Sequence, residues 1–124
     1  MKYDYVGAPW PKTMGILGKM EVGNGGLSLR KKSKMVELLQ YKDKGLESGI
    51  YGKYSAEDQF FCGYNVPEVN VYKPTFQKAK EFSVEGVFYD APFGIHKPWN
   101  SLNSNDLNLL YYRYPEIKKL EDLQ

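Results

Sequence analysis

Apolar and polar positions alternate along this chain in short blocks, each closed by glycine or proline, and the period changes from block to block. Residues 3–12 read as a short strand, Tyr3 to Val6, running into the turn Gly7-Ala8-Pro9-Trp10-Pro11, where two prolines limit any helix. Val22 to Leu29 is glycine-rich backbone. From Leu29 to Gln40 the apolar positions Leu29, Met35, Val36, Leu38 and Leu39 fall at helical spacing, and Ser28 suits the N-cap of that helix. Gly45 to Gly52 reads as a polar, glycine-broken loop, followed by a short helix starting at Ser55. A second short helix fits Thr75 to Phe82, with Pro74 barring extension backwards. The period then becomes two, so Ser83 to Tyr89 reads as a strand, and Asp90 to Trp99 is rich in turn residues. The last helix opens at Asn103 or Ser104, carries Leu107, Leu109, Leu110 and Tyr111, and ends before Pro115. The expected fold class is therefore α/β: a mixed short sheet with flanking helices, in a single domain over residues 1–124.

Composition narrows the function classes. With 42% hydrophobic residues and 15% aromatic ones the chain can build a core. Seventeen Lys and Arg against fifteen Asp and Glu leave a net charge of +2, too little for a nucleic-acid cloak, so no nucleic-acid partner is expected. Arg30, Lys31, Lys32 and Lys34 read first as a solvated helix face and second as a phosphate contact. Cys62 stands alone, cannot form an internal disulfide or a Cys-rich zinc site, and points to a reducing, cytoplasmic compartment. The N-terminus lacks the apolar run of a secretory signal, and no apolar stretch approaches the roughly 20 residues of a transmembrane helix.

Four features bear on chemistry. Gly23-Asn24-Gly25-Gly26 concentrates bare backbone, which serves either a tight Asn-Gly turn or close approach of a ligand, with N–H groups and the Asn24 amide offered to sugar hydroxyls or phosphate. It matches neither the P-loop spacing nor Gly-x-Gly-x-x-Gly. Glu57-Asp58 are adjacent acids at a helix start, readable as a general base or, through Ser55-x-x-Asp58, as a capping box. His96, the only histidine, sits in a stiff loop between Pro92 and Pro98; by itself it can be one ligand of a divalent ion, or an ordinary surface residue. Trp10 and Trp99 occupy Pro-flanked loops and offer flat faces to sugar rings or to the core edge.

Taken together, Tyr3-Asp4-Tyr5-Val6-Gly7-Ala8-Pro9-Trp10, Gly23 to Arg30, Glu57-Asp58-Gln59-Phe60-Phe61, Phe82-Ser83-Val84-Glu85 and Pro92 to Trp99 resemble, in order and spacing, one family. It is a glycosyltransferase family catalogued as domain of unknown function 5672, related to nucleotide-diphospho-sugar transferases of the GT-A type. The resemblance implies transfer of a sugar from a nucleotide-sugar donor to a hydroxyl of a glycan acceptor, with Mn²⁺ or Mg²⁺ at the leaving diphosphate. It implies Asp58 as the base, Glu57 as a holder of acceptor hydroxyls, and His96 as the metal or diphosphate ligand. Gly25 and Gly26 would let a sugar lie on the backbone beside Asn24 and Arg30, and Trp10 and Trp99 would line the acceptor side. The chain has no Asp-x-Asp, the metal motif of that fold type. It is therefore expected to be the C-terminal, acceptor-side part of such a domain, without the nucleotide-binding half and completed by another polypeptide or a second copy. The alternative is a non-catalytic carbohydrate- or partner-binding module on a truncated scaffold.

Overall fold

The computed structural model describes residues 2–11, 21–41, 57–63 and 68–124. Its architecture is mixed α/β. In chain order the described elements are strands β1 (Tyr5–Pro9) and β2 (Val22–Arg30), helices α1 (Lys32–Leu39), α2 (Glu57–Gly63) and α3 (Phe76–Phe82), strands β3 (Ser83–Val84) and β4 (Gly94–Ile95), a 3₁₀ turn at Pro98–Asn100, and helices α4 (Ser104–Arg113) and α5 (Glu116–Asp122). Among the described residues there are two small sheets. β1 and β2 form an antiparallel pair, and β3 and β4 a parallel one.

The glycine-rich segment is strand rather than turn. β1 pairs with β2 as Tyr5↔Arg30, Val6↔Leu29 and Gly7↔Ser28, after which the register jumps to Ala8↔Asn24. Residues 25–27 therefore have no opposite number on β1 and stand out as a bulge, the device by which a ladder displays extra backbone. Gly23, at φ 143°, takes up the twist that precedes it. All five residues of β1 are buried, and Gly7 is compelled by contact: a Cβ there would sit 2.3 Å from the Asn24 carbonyl oxygen.

This ladder displaces the first helix. Ser28 is not its N-cap; it lies inside β2, where its hydroxyl donates to Gly25 O at 3.5 Å and accepts from Arg30 Nε at 3.1 Å. The helix begins at Lys32, and the residue in the capping position, Lys31, makes no side-chain cap bond. Helical spacing of Leu29 was coincidental, because extended pairing with Val6 satisfies its backbone instead. The expected strand Ser83 to Tyr89 shortens to Ser83–Val84 for a related reason: the only ladder partner it finds among the described residues, β4, is two residues long. The loop Gly45 to Gly52 and the helix-opening residues Ser55 and Ala56 lie outside the described residues.

Two helix starts follow the sequence closely. Thr75 caps α3, accepting from Lys78 N at 3.3 Å, and Asn103 caps α4, accepting from Asp106 N at 2.8 Å while its amide donates to Asp106 Oδ2 at 2.9 Å. Pro115 does end α4, yet its φ of −58° also opens α5, a helix that the pattern did not predict.

Apolar side chains gather in two clusters. Tyr5, Trp10, Met35, Leu38 and Val69 form the first, with Phe60, Phe61, Tyr41 and Val71 packed against it. Val84, Leu110 and Ile117 form the second, with Phe88, Ile95 and Trp99 among its partly buried neighbours. Asp4 ties the entry of β1 to the 69–74 segment: its Oδ2 accepts from Tyr72 N at 2.8 Å, and its own N–H donates to Tyr72 O at 2.7 Å. Among the described residues no helix is long and apolar enough to cross a membrane.

The α4–α5 hairpin carries a pH-dependent staple. Tyr111 Oη donates to Glu121 Oε2, and Lys118 lies 3.3 Å from the same oxygen and 5.5 Å from the Tyr111 ring centre. Burial, reinforced by Glu121, pushes the Tyr111 phenol up to about 12, whereas the Tyr111 hydrogen bond, helped by Lys118 and opposed by burial, holds Glu121 below its ordinary value of 4.5. A raised folded value means stabilisation present below pH 10 and lost as pH climbs toward 12; a lowered one means stabilisation present above pH 4.5 and lost on acidification. The melting temperature of Tyr111→Phe, compared with the parent across pH, should therefore show a shallower alkaline decline than the parent's. Identical alkaline limbs would refute the staple.

Candidate functional site

Three segments far apart in sequence meet at the β2 bulge. The first is the bulge itself. Asn24 Oδ1 accepts from Gly26 N at 2.9 Å, closing a short side-chain turn that holds the two glycines in an open arc. The second is the start of α2. Asp58 Oδ2 accepts from Gly25 N at 3.0 Å, and Glu57 takes Arg30 in a two-pronged ion pair, Nη1 to Oε2 at 2.5 Å and Nη2 to Oε1 at 3.0 Å. The third is the loop after β4, where His96 Nδ1 lies 3.0 Å from Glu85 Oε1.

Local reasons place each group. Arg30 ends β2 with its guanidinium 5.0 Å from the centre of the Tyr5 ring and 5.7 Å from that of Phe61, a flat site that suits its planar cation. The bond to Glu57 pushes the Arg30 pKa above its ordinary range, with burial opposing. Glu57 is largely exposed, so screening limits the pair to roughly 0.2–1 kcal/mol of stability. Glu85 and His96 meet because the parallel register Ser83↔Gly94 and Val84↔Ile95, continued one residue, sets them side by side, and His96 N donates to Val84 O at 3.0 Å.

The glycines admit the protein's own side chains. A Cβ on Gly25 would lie 2.7 Å from Arg30 Nη2 and 2.9 Å from the Asp58 Cβ. One on Gly26 would lie 2.2 Å from His96 Nδ1 and 2.7 Å from its Cε1. Bare backbone is needed here so that the carboxylates, the guanidinium and the imidazole can close around it.

Of the residues singled out by sequence, Asn24, Gly25, Gly26, Arg30, Glu57, Asp58 and His96 are thus brought together. Trp10 and Trp99 are not. Trp10 is buried in the first apolar cluster, and Trp99 packs half-buried on the second. Three residues of the basic run are paired: besides Arg30, Lys31 lies 3.8 Å from Asp4 and Lys34 3.1 Å from Glu37. Glu85 and Ser28 escaped the sequence reading. The first depends on a parallel register that no local pattern encodes, and the second was absorbed by a helix cap that does not form. A groove of about 330 Å³ on the second cluster, lined by Phe88, Asp90, Leu109, Leu110, Tyr112 and Arg113, holds none of these residues.

Among the described residues the donor set does not build a metal site: no three His, Cys, Asp or Glu side chains converge as ligands, and both Glu57 oxygens are taken by Arg30. What the site does offer is a ring of hydrogen-bonding groups of both signs on a rigid ribbon. Comparison with curated proteins and with solved structures found no match. The five sequence blocks lie within or beside the stretch that a family model does match, residues 1–96, and the chain therefore belongs to the family described as Protein of unknown function (DUF5672).

Proposed function

We propose that the chain is the acceptor-side part of a sugar transferase related to the GT-A type, acting on a nucleotide-sugar donor and a glycan acceptor. The observation that supports it is the convergence of Gly25-Gly26, Arg30, Glu57, Asp58 and His96, three distant segments, on one bulge. In this reading Asp58, fixed by the Gly25 N–H, takes the proton of the acceptor hydroxyl. The acceptor oxygen bonds to the anomeric carbon, and the bond from that carbon to the nucleoside diphosphate breaks. Glu57, steadied by Arg30, holds neighbouring hydroxyls. The described residues do not cradle Mn²⁺ or Mg²⁺, so in this reading any such ion comes with the diphosphate, and no step is routed through it.

A second reading is favoured by a specific observation: Arg30 with Glu57, and Asp58 with Gly25, are already satisfied by one another. A site assembled without a ligand also suits a glycan-binding module that carries out no transfer.

One panel separates the two. Melting temperatures are measured with UDP, GDP, dTDP and their sugars, each with and without Mn²⁺, and with free oligosaccharides, since a ligand that binds only the folded chain raises its apparent stability. A metal-dependent shift with one nucleotide class supports the transferase. Shifts with glycans alone, unchanged by EDTA, support the binding module unless Asp58→Asn lowers transfer by the completed enzyme, and no shift from a cooperatively melting chain overturns both.

A further inference from the structure

We infer that Glu85 is a positioning residue that fixes His96 in its Nδ1–H tautomer and so leaves Nε2, on a ring seated against the bulge, as a hydrogen-bond acceptor for a hydroxyl-bearing ligand.

Three observations carry this. First, a carboxylate has only lone pairs to offer, so at 3.0 Å from Glu85 Oε1 the ring nitrogen Nδ1 must be the one that carries hydrogen. Second, the other Glu85 oxygen, Oε2, is buried and has no hydrogen-bond partner among the described residues. With one oxygen already unpaired, a lone pair on Nδ1 would leave the whole carboxylate unsatisfied in a half-buried position, which folding strongly disfavours. Third, Gly26 seats the ring: the Nδ1 edge and Cε1 lie where a Cβ would be, so the imidazole is held against bare backbone as well as by its partner.

The consequence lies at the other nitrogen. Nothing among the described residues engages Nε2, and it is not among the buried polar atoms. In the neutral ring it holds a lone pair, on an imidazole whose Nδ1 edge is seated against Gly26 of the bulge. An anionic phosphate oxygen would meet that lone pair unfavourably, whereas a sugar hydroxyl donates to it. The inference goes beyond the transferase reading, for which Asp58 is the base, and its final step alone rests on the site taking a hydroxyl-bearing ligand.

Because His96 is the only histidine, its ring signals can be read without assignment by mutation. Long-range ¹⁵N–¹H correlation spectra of the full chain at about pH 8, where an ordinary imidazole is neutral, identify the unprotonated nitrogen. Nε2 couples strongly to both ring protons and Nδ1 chiefly to one. The expected result is that Nε2 is unprotonated, the reverse of the tautomer that free histidine prefers in water, and that Glu85→Ala restores the free preference. A wild-type spectrum with hydrogen on Nε2 overturns the inference, and that measurement decides even if Glu85→Ala fails to fold. Titration with D-glucose, D-galactose, D-mannose and N-acetyl-D-glucosamine should then move the Nε2 signal for at least one sugar, with apparent affinity about threefold to tenfold weaker in Glu85→Ala, the range of one net hydrogen bond. An Nδ1–H tautomer with Nε2 untouched by every sugar overturns the acceptor role, while the nucleotide panel independently judges the transferase.

Discussion

Gly7→Ala is expected to cost about 3 kcal/mol or more, the upper range for forcing a methyl group into a close-packed interior. Its Cβ would lie 2.3 Å from Asn24 O and 3.1 Å from Gly23 C, both backbone atoms that cannot rotate aside. β1 and β2 must therefore part where their register jumps, at the point that sets out the bulge. Gly94→Ala is the control. Its Cβ would meet Leu27 Cδ2 at 2.1 Å, but the next atom is 3.6 Å away, and the end of a leucine side chain can swing clear. Urea unfolding should show a large fall in midpoint for Gly7→Ala and a much smaller one for Gly94→Ala, with similar slopes. Equal midpoints for the two variants would show that the ribbon is not held where the geometry says.

Leu38→Ala should be comparably severe. Leu38 is fully buried among Tyr5, Trp10, Met35 and Val69, and α1 has no side-chain cap to hold it once that anchor is gone. Truncations of this kind cost about 2–5 kcal/mol, or roughly 10–20 °C in melting temperature for a chain of this length. Leu110→Ala removes the corresponding anchor of the second cluster. The two clusters share no buried residue, so the losses should add within about 0.5 kcal/mol. Together they approach the whole stability of an ordinary domain, about 5–15 kcal/mol. Calorimetry of the two single variants and the double one checks this, and a double variant little worse than either single one would mean that the cores are one cooperative body.

Where a residue answers to its chain neighbours, the sequence was informative. Thr75 and Asn103 announce helix starts because the cap bond reaches only three residues ahead, and Pro115 announces a stop for an equally local reason. Much of the candidate site was legible in the same way, since glycines, paired acids and a lone histidine stand out from composition alone. What could not be read was pairing. Val22 to Arg30 carries three glycines, and it is pairing with β1, residues 5–9, that makes it a strand. Glu85 looked like one more polar position in an alternating run until a parallel register set it beside His96. Trp10 was ambiguous for the opposite reason: a large aromatic next to prolines suits a sugar and a core edge equally, and here the side chain is buried.

The second apolar cluster has a bearing on where this family's common part can be cut. The matched stretch stops at residue 96, yet Val84, one residue before Glu85, is buried against Leu110 and Ile117, which lie beyond it. A gene fragment trimmed to the shared stretch would keep every polar group of the bulge and strip the lid from the strand that aims His96. Helices α4 and α5 are in that sense a buttress for the bulge. A chain cut at residue 96 will hold its imidazole in line only where another cover fits Val84.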